Sequence, residues 1–315
     1  MRKGFAGMAQ VSYPFAVGRI KVLETRLLDS GKWARLREAN REDAVRLLAE
    51  SGYGGGKPGV KTDADALIRT ETEETRRVIA ELSPEPAWTD LFLLPTDAHN
   101  IKALYKGKVL GQDVSHLLVE GGTIPAELLR ICIENGEYSM LPAAFGAVLE
   151  KGDYPDLLHF SAAVDRAVFE HIRTVLKKKK NPLLSRYFSA QVDFTNVLSA
   201  LRAASLRWDG GKLEAVLLPG GTIPEETFPA ALGIQPAMLP EALAKGEFSS
   251  AIGRVLGEYV QAGDITQAEQ RFTEERIALL KDGDDSTFSI GPIACYLMQR
   301  ETEARELRVL FAQKL

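Results

Sequence analysis

The chain has 315 residues, 45% of them hydrophobic and 26% charged, and 39 basic against 43 acidic side chains leave a formal charge of −4. That balance fits a globular protein of two or three units and lacks the strongly basic character of a dedicated nucleic-acid binder, although net charge leaves room for a local patch. Cys132 and Cys295 stand far apart with no Cys-x-x-Cys or Cys/His cluster near them. Neither a disulfide framework nor a zinc site has support, and both thiols are expected to be reduced, half-buried small hydrophobes.

Residues 1–10 lack the apolar stretch of a secretory signal, and the longest uncharged stretches are broken by Pro or Gly short of about 18 residues, so no membrane span is expected. The expected setting is the cytoplasm, or the cytoplasmic face of a membrane with another protein holding the chain there. From residue 15 to 28, Val17, Ile20, Leu23, Leu27 and Leu28 recur at three- and four-residue steps, which predicts a helix with one apolar face. The same period predicts helices over 33–36, 44–48, 64–82, 101–104, 164–176, 192–206, 252–260, 268–280 and 293–311. Breaks are predicted at Gly54-Gly55-Gly56, Ser83-Pro84-Glu85-Pro86, Gly121-Gly122, Asn181-Pro182, Gly210-Gly211, Gly220-Gly221 and Asp282-Gly283-Asp284-Asp285. Strand-like alternation is scarce, so the expected fold is all-α.

Internal repeats define the organisation. Gly121-Gly122-Thr123-Ile124-Pro125 recurs unchanged as Gly220-Gly221-Thr222-Ile223-Pro224, 99 residues later. Gly136-Glu137-Tyr138-Ser139 matches Gly246-Glu247-Phe248-Ser249, and Asp97-Ala98-His99-Asn100 matches Asp193-Phe194-Thr195-Asn196. Each Asp-x-x-Asn has a basic residue six positions after its Asn, Lys106 and Arg202, and Glu303-x-x-Glu306 stands 110 residues after Asp193-x-x-Asn196. The chain therefore reads as three similar helical units of about 100 residues, 10–107, 108–207 and 208–315.

Each marker has a structural and a functional reading. In Gly-Gly-Thr-Ile-Pro the glycines permit strained backbone, Thr123 or Thr222 can cap the next helix, with Glu225 completing a capping box, and Pro125 or Pro224 suits a first turn. An anion site at that helix start is the alternative. Asp97 with Asn100, and Asp193 with Asn196, each share a helix face. Either the Asp caps or neutralises a helix start while the Asn fixes a neighbouring loop, or the pair contacts a partner. Gly52 to Lys57 is one residue short of a phosphate loop, and Pro58 replaces its hydroxyl residue, which leaves a flexible loop as the reading.

Lys177, Lys178, Lys179 and Lys180 precede Asn181-Pro182, where a helix C-terminus favours cations; anionic lipid head groups are the alternative use. His99 is matched by Thr195, and His116, His159 and His171 lack ligand-like spacing, so no metal is expected. No nucleophile–base or paired-carboxylate constellation emerges from the spacing, hence no catalytic residue and no cofactor.

Several segments also resemble one family. Tyr13-Pro14-Phe15-Ala16-Val17-Gly18-Arg19-Ile20, Leu27-Leu28 and Tyr53 are similar to the N-terminal pattern of the C subunit of V/A-type ATP synthases, whose eukaryotic V-ATPase equivalent is the d subunit. So are Asp97-x-His99-Asn100-Ile101-Lys102, Asp193-x-x-Asn196-Val197 with Leu201-Arg202-Ala203, and Pro292-Ile293-x-x-Tyr296-Leu297 with Arg300-Glu301-x-Glu303 and Leu307-Arg308. Gly291 departs from an acidic residue frequent in the family, and Glu306 from a polar amide.

The resemblance implies a funnel-shaped, pseudo-threefold, non-catalytic rotor subunit, peripheral on the cytoplasmic side. It would link the central shaft subunits to the membrane rotor ring and transmit torque for proton or sodium transport. The alternative is a helical-repeat adaptor for an unrelated protein. An enzyme with an unrecognised site is a third possibility, which tight nucleotide binding would favour.

Overall fold

A computed structural model describes residues 11–56, 63–282 and 287–314. Residues 1–10, the Lys57-Pro58 end of the glycine loop and the turn at 283–285 lie outside them. The fold is all-α, with no strand among the described residues. Among these residues, no helix is long and apolar enough to cross a membrane.

The helices are α1 (Tyr13–Glu24), α2 (Ser30–Glu38), α3 (Arg41–Glu50), α4 (Ala64–Leu82), α5 (Pro86–Leu110), α6 (Ala126–Asn135), α7 (Ala143–Lys151) and α8 (Leu157–Lys178). They continue with α9 (Pro182–Ser205), α10 (Gly210–Val216), α11 (Thr227–Ala230), α12 (Leu239–Leu243), α13 (Ser249–Ala262), α14 (Ile265–Asp282) and α15 (Gly291–Ala312). Local chemistry sets many starts. Asp29, Asn40, Asp63, Asp156, Asn181 and Asp209 each sit at an N-cap in extended backbone and accept from the N–H three residues on.

The helix expected over 15–28 ends at Glu24, because Asp29 caps α2 and the intervening turn carries Leu28 into the core. Gly210 and Gly211 do not form the break expected of them but open α10 behind the Asp209 cap.

The chain divides into two compact units, Met1–Thr89 with Lys281–Leu315, and Asp90–Leu280; α5 and α14 each begin in one and end in the other. In the first, α15 packs on α1 and α4. Its core joins Leu28, Leu36, Leu48, Tyr53 and Ile68 to Ala304, Leu307 and Phe311. Arg41 Nη1 donates to the Phe311 carbonyl at 2.9 Å, and Lys314 Nζ donates to the carbonyls of Arg37 and Ala39. The two ends of the sequence thus share one core.

In the second unit, α5 and α8 run antiparallel. Lys102 Nζ meets Asp165 at 2.7 Å, the rings of Tyr105 and Phe160 stack at 3.6 Å, and Phe92 packs on Tyr187 and Phe188 of α9. Phe194 of α9 stacks on Phe272 at 4.6 Å and meets Phe248 edge-on, which anchors a core that extends through α10, α13 and α14.

Candidate functional site

The repeated polar residues meet the repeated loops, and they do so twice in the same way. Asp97 lies inside α5, fully buried, and its carboxylate accepts from Thr123 N and Ile124 N, each at 3.1 Å, and from Thr123 Oγ1 at 2.5 Å. One turn on, Asn100 Nδ2 donates to the Val119 carbonyl at 2.8 Å while its Oδ1 accepts from Val119 N at 2.9 Å. In α9, Asp193 accepts from Thr222 N at 2.8 Å, Thr222 Oγ1 at 2.6 Å and Ile223 N at 3.1 Å. Asn196 makes the same reciprocal pair with Leu218, at 2.9 and 2.8 Å. The i, i+3 spacing puts both groups on one face, where an acceptor-only carboxylate and a donor-acceptor amide each find their complement in the loop backbone.

This geometry explains the repeated glycines. Gly121 and Gly220 have φ of 85° and 98°, where a side chain is strained. A methyl group on Gly122 would collide with Asp97 Oδ1, and one on Gly221 with Asp193 Oδ1. Gly122→Ala and Gly221→Ala are each expected to cost about 1–3 kcal/mol in urea unfolding, as overpacking does; a change under about 0.5 kcal/mol, the range of ordinary surface substitutions, contradicts the clamp.

The helix-cap reading of the threonines is corrected. Thr123 and Thr222 turn back to the preceding Asp, Pro125 is itself the N-cap of α6 with no side-chain bond, and α11 starts at Thr227 behind Glu226. The Thr222/Glu225 capping box therefore does not form, and Thr222 Oγ1 instead also accepts from Glu247 N at 2.9 Å. Asp97 and Asp193 lie in helix interiors, so neither caps a helix start. The loop-fixing role expected of the asparagines holds.

Burial pushes the Asp97 carboxyl up to about 6, with Asp90 acting in the same direction and the three loop bonds opposing it. Asp193 is also raised, by burial first. A carboxyl raised above its free value of 3.8 holds its proton more tightly in the folded chain. Its contribution to stability is therefore present below that value and lost as pH rises through about 6. Urea midpoints between pH 4 and 7 should fall more steeply with rising pH in the native chain than in Asp97→Asn; equal slopes contradict this.

In the first unit, Glu303 of α15 makes a related contact. Its Oε2 accepts from Leu28 N at 2.7 Å, and Leu28 immediately precedes the Asp29 cap of α2, as Ile124 precedes the Pro125 cap of α6. Its Oε1 accepts from Arg300 Nη1 at 2.5 Å and from the Tyr53 hydroxyl, while Arg300 Nη2 pairs with Glu71. Arg300 also lies over the Tyr53 ring at 5.2 Å, and burial, followed by the Glu303 charge, pushes the Tyr53 phenol up.

Beside this cluster a cavity of about 720 Å³ is walled by Glu50, Glu71, Glu73 and Glu74 against Arg26, Arg77 and Arg300. Gly52 and Gly55 reach the same wall, and that acidic balance suits a polyphosphate poorly.

Among the remaining sequence candidates, Arg202 pairs with Glu269 at 2.5 Å, and Lys106 is half-buried with no ion pair among the described residues. Lys177 and Lys178 end α8, Lys179 is its C-cap and Lys180 lies in the turn before Asn181; all four are exposed. Both cysteines are free and buried, more so than expected. Among the described residues no cluster of His, Cys, Asp and Glu has the makings of a metal site.

Two long helices, each with a buried Asp/Asn pair that grips the loop that follows, define an all-helical scaffold in which one clamp occurs twice. The family model described as "ATP synthase (C/AC39) subunit" matches residues 16–314, and the chain belongs to that family. It is 25% identical to the C subunit of the V-type ATP synthase of Thermus thermophilus, over 95% of this chain and 93% of that protein. It is 23% identical to the C subunit of the A-type ATP synthase of Pyrococcus furiosus, over 95% and 85%. With the C subunit of the V-type sodium ATPase of Enterococcus hirae it shares 23% identity over 81% and 79%.

Proposed function

We propose that this chain is the non-catalytic central-stalk subunit of a rotary V/A-type ATPase or ATP synthase. It links the soluble rotor shaft to the membrane rotor ring and transmits torque between ATP chemistry and proton or sodium transport. It would sit peripherally on the cytoplasmic side, bound through its partners. Family membership supports the complex, and the twin loop clamps are the observation that carries the role. A torque coupler needs connections that do not yield, and each clamp ties a loop to a long helix through at least five hydrogen bonds to buried side chains.

The arrangement into three units, 10–107, 108–207 and 208–315, belongs to this reading. It is supported by the Glu303–Leu28 bond, which resembles the Asp97–Ile124 and Asp193–Ile223 bonds and would close a third clamp between the C-terminal helix and the N-terminal segment. Asp97, Asn100, Asp193 and Asn196 then define the repeat. Lys106, Arg202 and Lys177 to Lys180 are left as the candidates for partner contact.

Affinity purification of the tagged chain from detergent-solubilised membranes of its own cells tests this. Recovery of a rotor-ring protein together with a shaft protein is expected; recovery of neither contradicts the assignment, and an unrelated partner alone favours an adaptor.

A further inference from the structure

We propose that the groove between α8 and α9 is a docking site for an acidic amphipathic helix of a protein partner, with apolar side chains in the groove and carboxylates toward Arg173 and Lys177. The groove holds about 230 Å³ over a floor of Phe169, Ile172, Leu176, Phe188 and Val192, each only 1–8% exposed, with Pro219 and Gly220 also in its lining. Arg173 and Lys177 line it as well, both exposed, and no acidic side chain among the described residues does. They stand at i and i+4 on one face of α8, roughly 5–6 Å apart at Cβ, so two carboxylates one turn apart on a partner helix would match them. Neither cation has an ion pair among the described residues, and beside the apolar floor the two supply the charge complementarity that selects this occupant.

The volume argues the same way. It falls below the roughly 300–1,000 Å³ of pockets that enclose drug-sized ligands, and it suits one or two apolar side chains of a helix. A bilayer would engage the exposed lysines and leave a concave cleft unfilled.

The groove is also prebuilt. Asn196 holds Leu218, Asp193 holds Thr222, and Ser189 Oγ donates to the Gly220 carbonyl at 3.3 Å, which fixes the Pro219-Gly220 segment between the two clamp points. Gly220 has φ of 98°, and a Cβ there would stand 2.6 Å from Arg173 Cδ, so the missing side chain makes room for the arginine stem. The inference stands apart from the rotary assignment, since it rests on this unit's own side chains.

Fluorescence anisotropy with the full chain tests it. The probe is a labelled synthetic helical peptide with Leu at i and i+4, flanked by Glu at the same spacing. Binding is expected, weakened by roughly tenfold or more in Arg173→Glu/Lys177→Glu and in Ser185→Trp, which fills the groove from its exposed edge. Lys178→Glu/Lys180→Glu should bind within about twofold of native, because those cations lie outside the groove. Circular dichroism verifies that each variant is folded. No binding, or binding that the groove variants leave unchanged, overturns the proposal. So does phosphatidylglycerol-vesicle binding that Ser185→Trp leaves intact while the peptide fails to bind, since that assigns the basic end to a membrane.

Discussion

Replacing Asp193 by alanine should lower the unfolding free energy by about 2–4 kcal/mol, one of the two largest effects expected of any single change in this chain. The carboxylate takes three donors, Thr222 N, Thr222 Oγ1 and Ile223 N, and Ile223 is itself core. An orphaned buried donor costs about 1–3 kcal/mol, so three would sum higher. Two effects reduce the total. The ionised form is already penalised by burial, as its raised pKa records, and the loop edge is partly open to water. Asp193→Asn keeps the volume but aims an NH2 group at N–H donors, and should recover only part of the loss. Urea unfolding decides: a loss below about 1 kcal/mol for Asp193→Ala would mean that the loop is held by its apolar contacts alone.

The second large effect belongs to Glu303. Arg300 and Glu303 have side chains only 4% and 6% exposed, whereas Glu71, the other acid on Arg300, keeps 18%. Glu303→Ala leaves a buried guanidinium with one acid instead of two and also removes the acceptor of Leu28 N, so a loss of about 3–5 kcal/mol is expected. A pair of this kind is expensive to break and cheap to replace. The double variant Arg300→Met/Glu303→Leu should therefore lose clearly less than the sum of the two singles, with a coupling of about 1–3 kcal/mol in a double-mutant cycle. Additive losses would show that the two charges do not depend on one another.

These two sites mark how far the sequence could be read. The period of apolar residues located best the helices that bury one stripe, and α4 occupies the span expected of it, from Ala64 to Leu82; α5, expected only over 101–104, runs from Pro86 to Leu110, and α9 is buried on most of its circumference, which blurs the period. The equivalence of Asp97-x-x-Asn100 and Asp193-x-x-Asn196 was visible as a repeat, and so was the Gly-Gly-Thr-Ile-Pro element. What joined them was not visible. Each Asp reaches a loop 26 to 30 residues ahead, and nothing in local spacing distinguishes that from a threonine capping its own helix. With the carboxylate in place the choice is clear, because the second glycine must be bare to admit it.

The Arg300 cluster was harder to see. Tyr53, Arg300 and Glu303 were each legible as part of a family pattern, but Glu71 sits in the acidic run Glu71-Thr72-Glu73-Glu74, where no repeat or motif singles it out. Its charge is recruited by a helix 229 residues away. The groove between α8 and α9 left no signature either, since its apolar wall residues have the same helical period as any core stripe. The one sequence clue was Gly220, whose absent side chain serves both the clamp and Arg173.

The most direct test of the central claim compares the purified rotary complex with and without this chain, reconstituted in sealed vesicles. With the chain present, ATP hydrolysis should drive ion uptake. Without it, hydrolysis by the soluble part should persist while ATP-driven ion uptake is lost, and adding back the native chain should restore it. Ion uptake that proceeds at the same rate per ATP in the chain's absence would contradict the account.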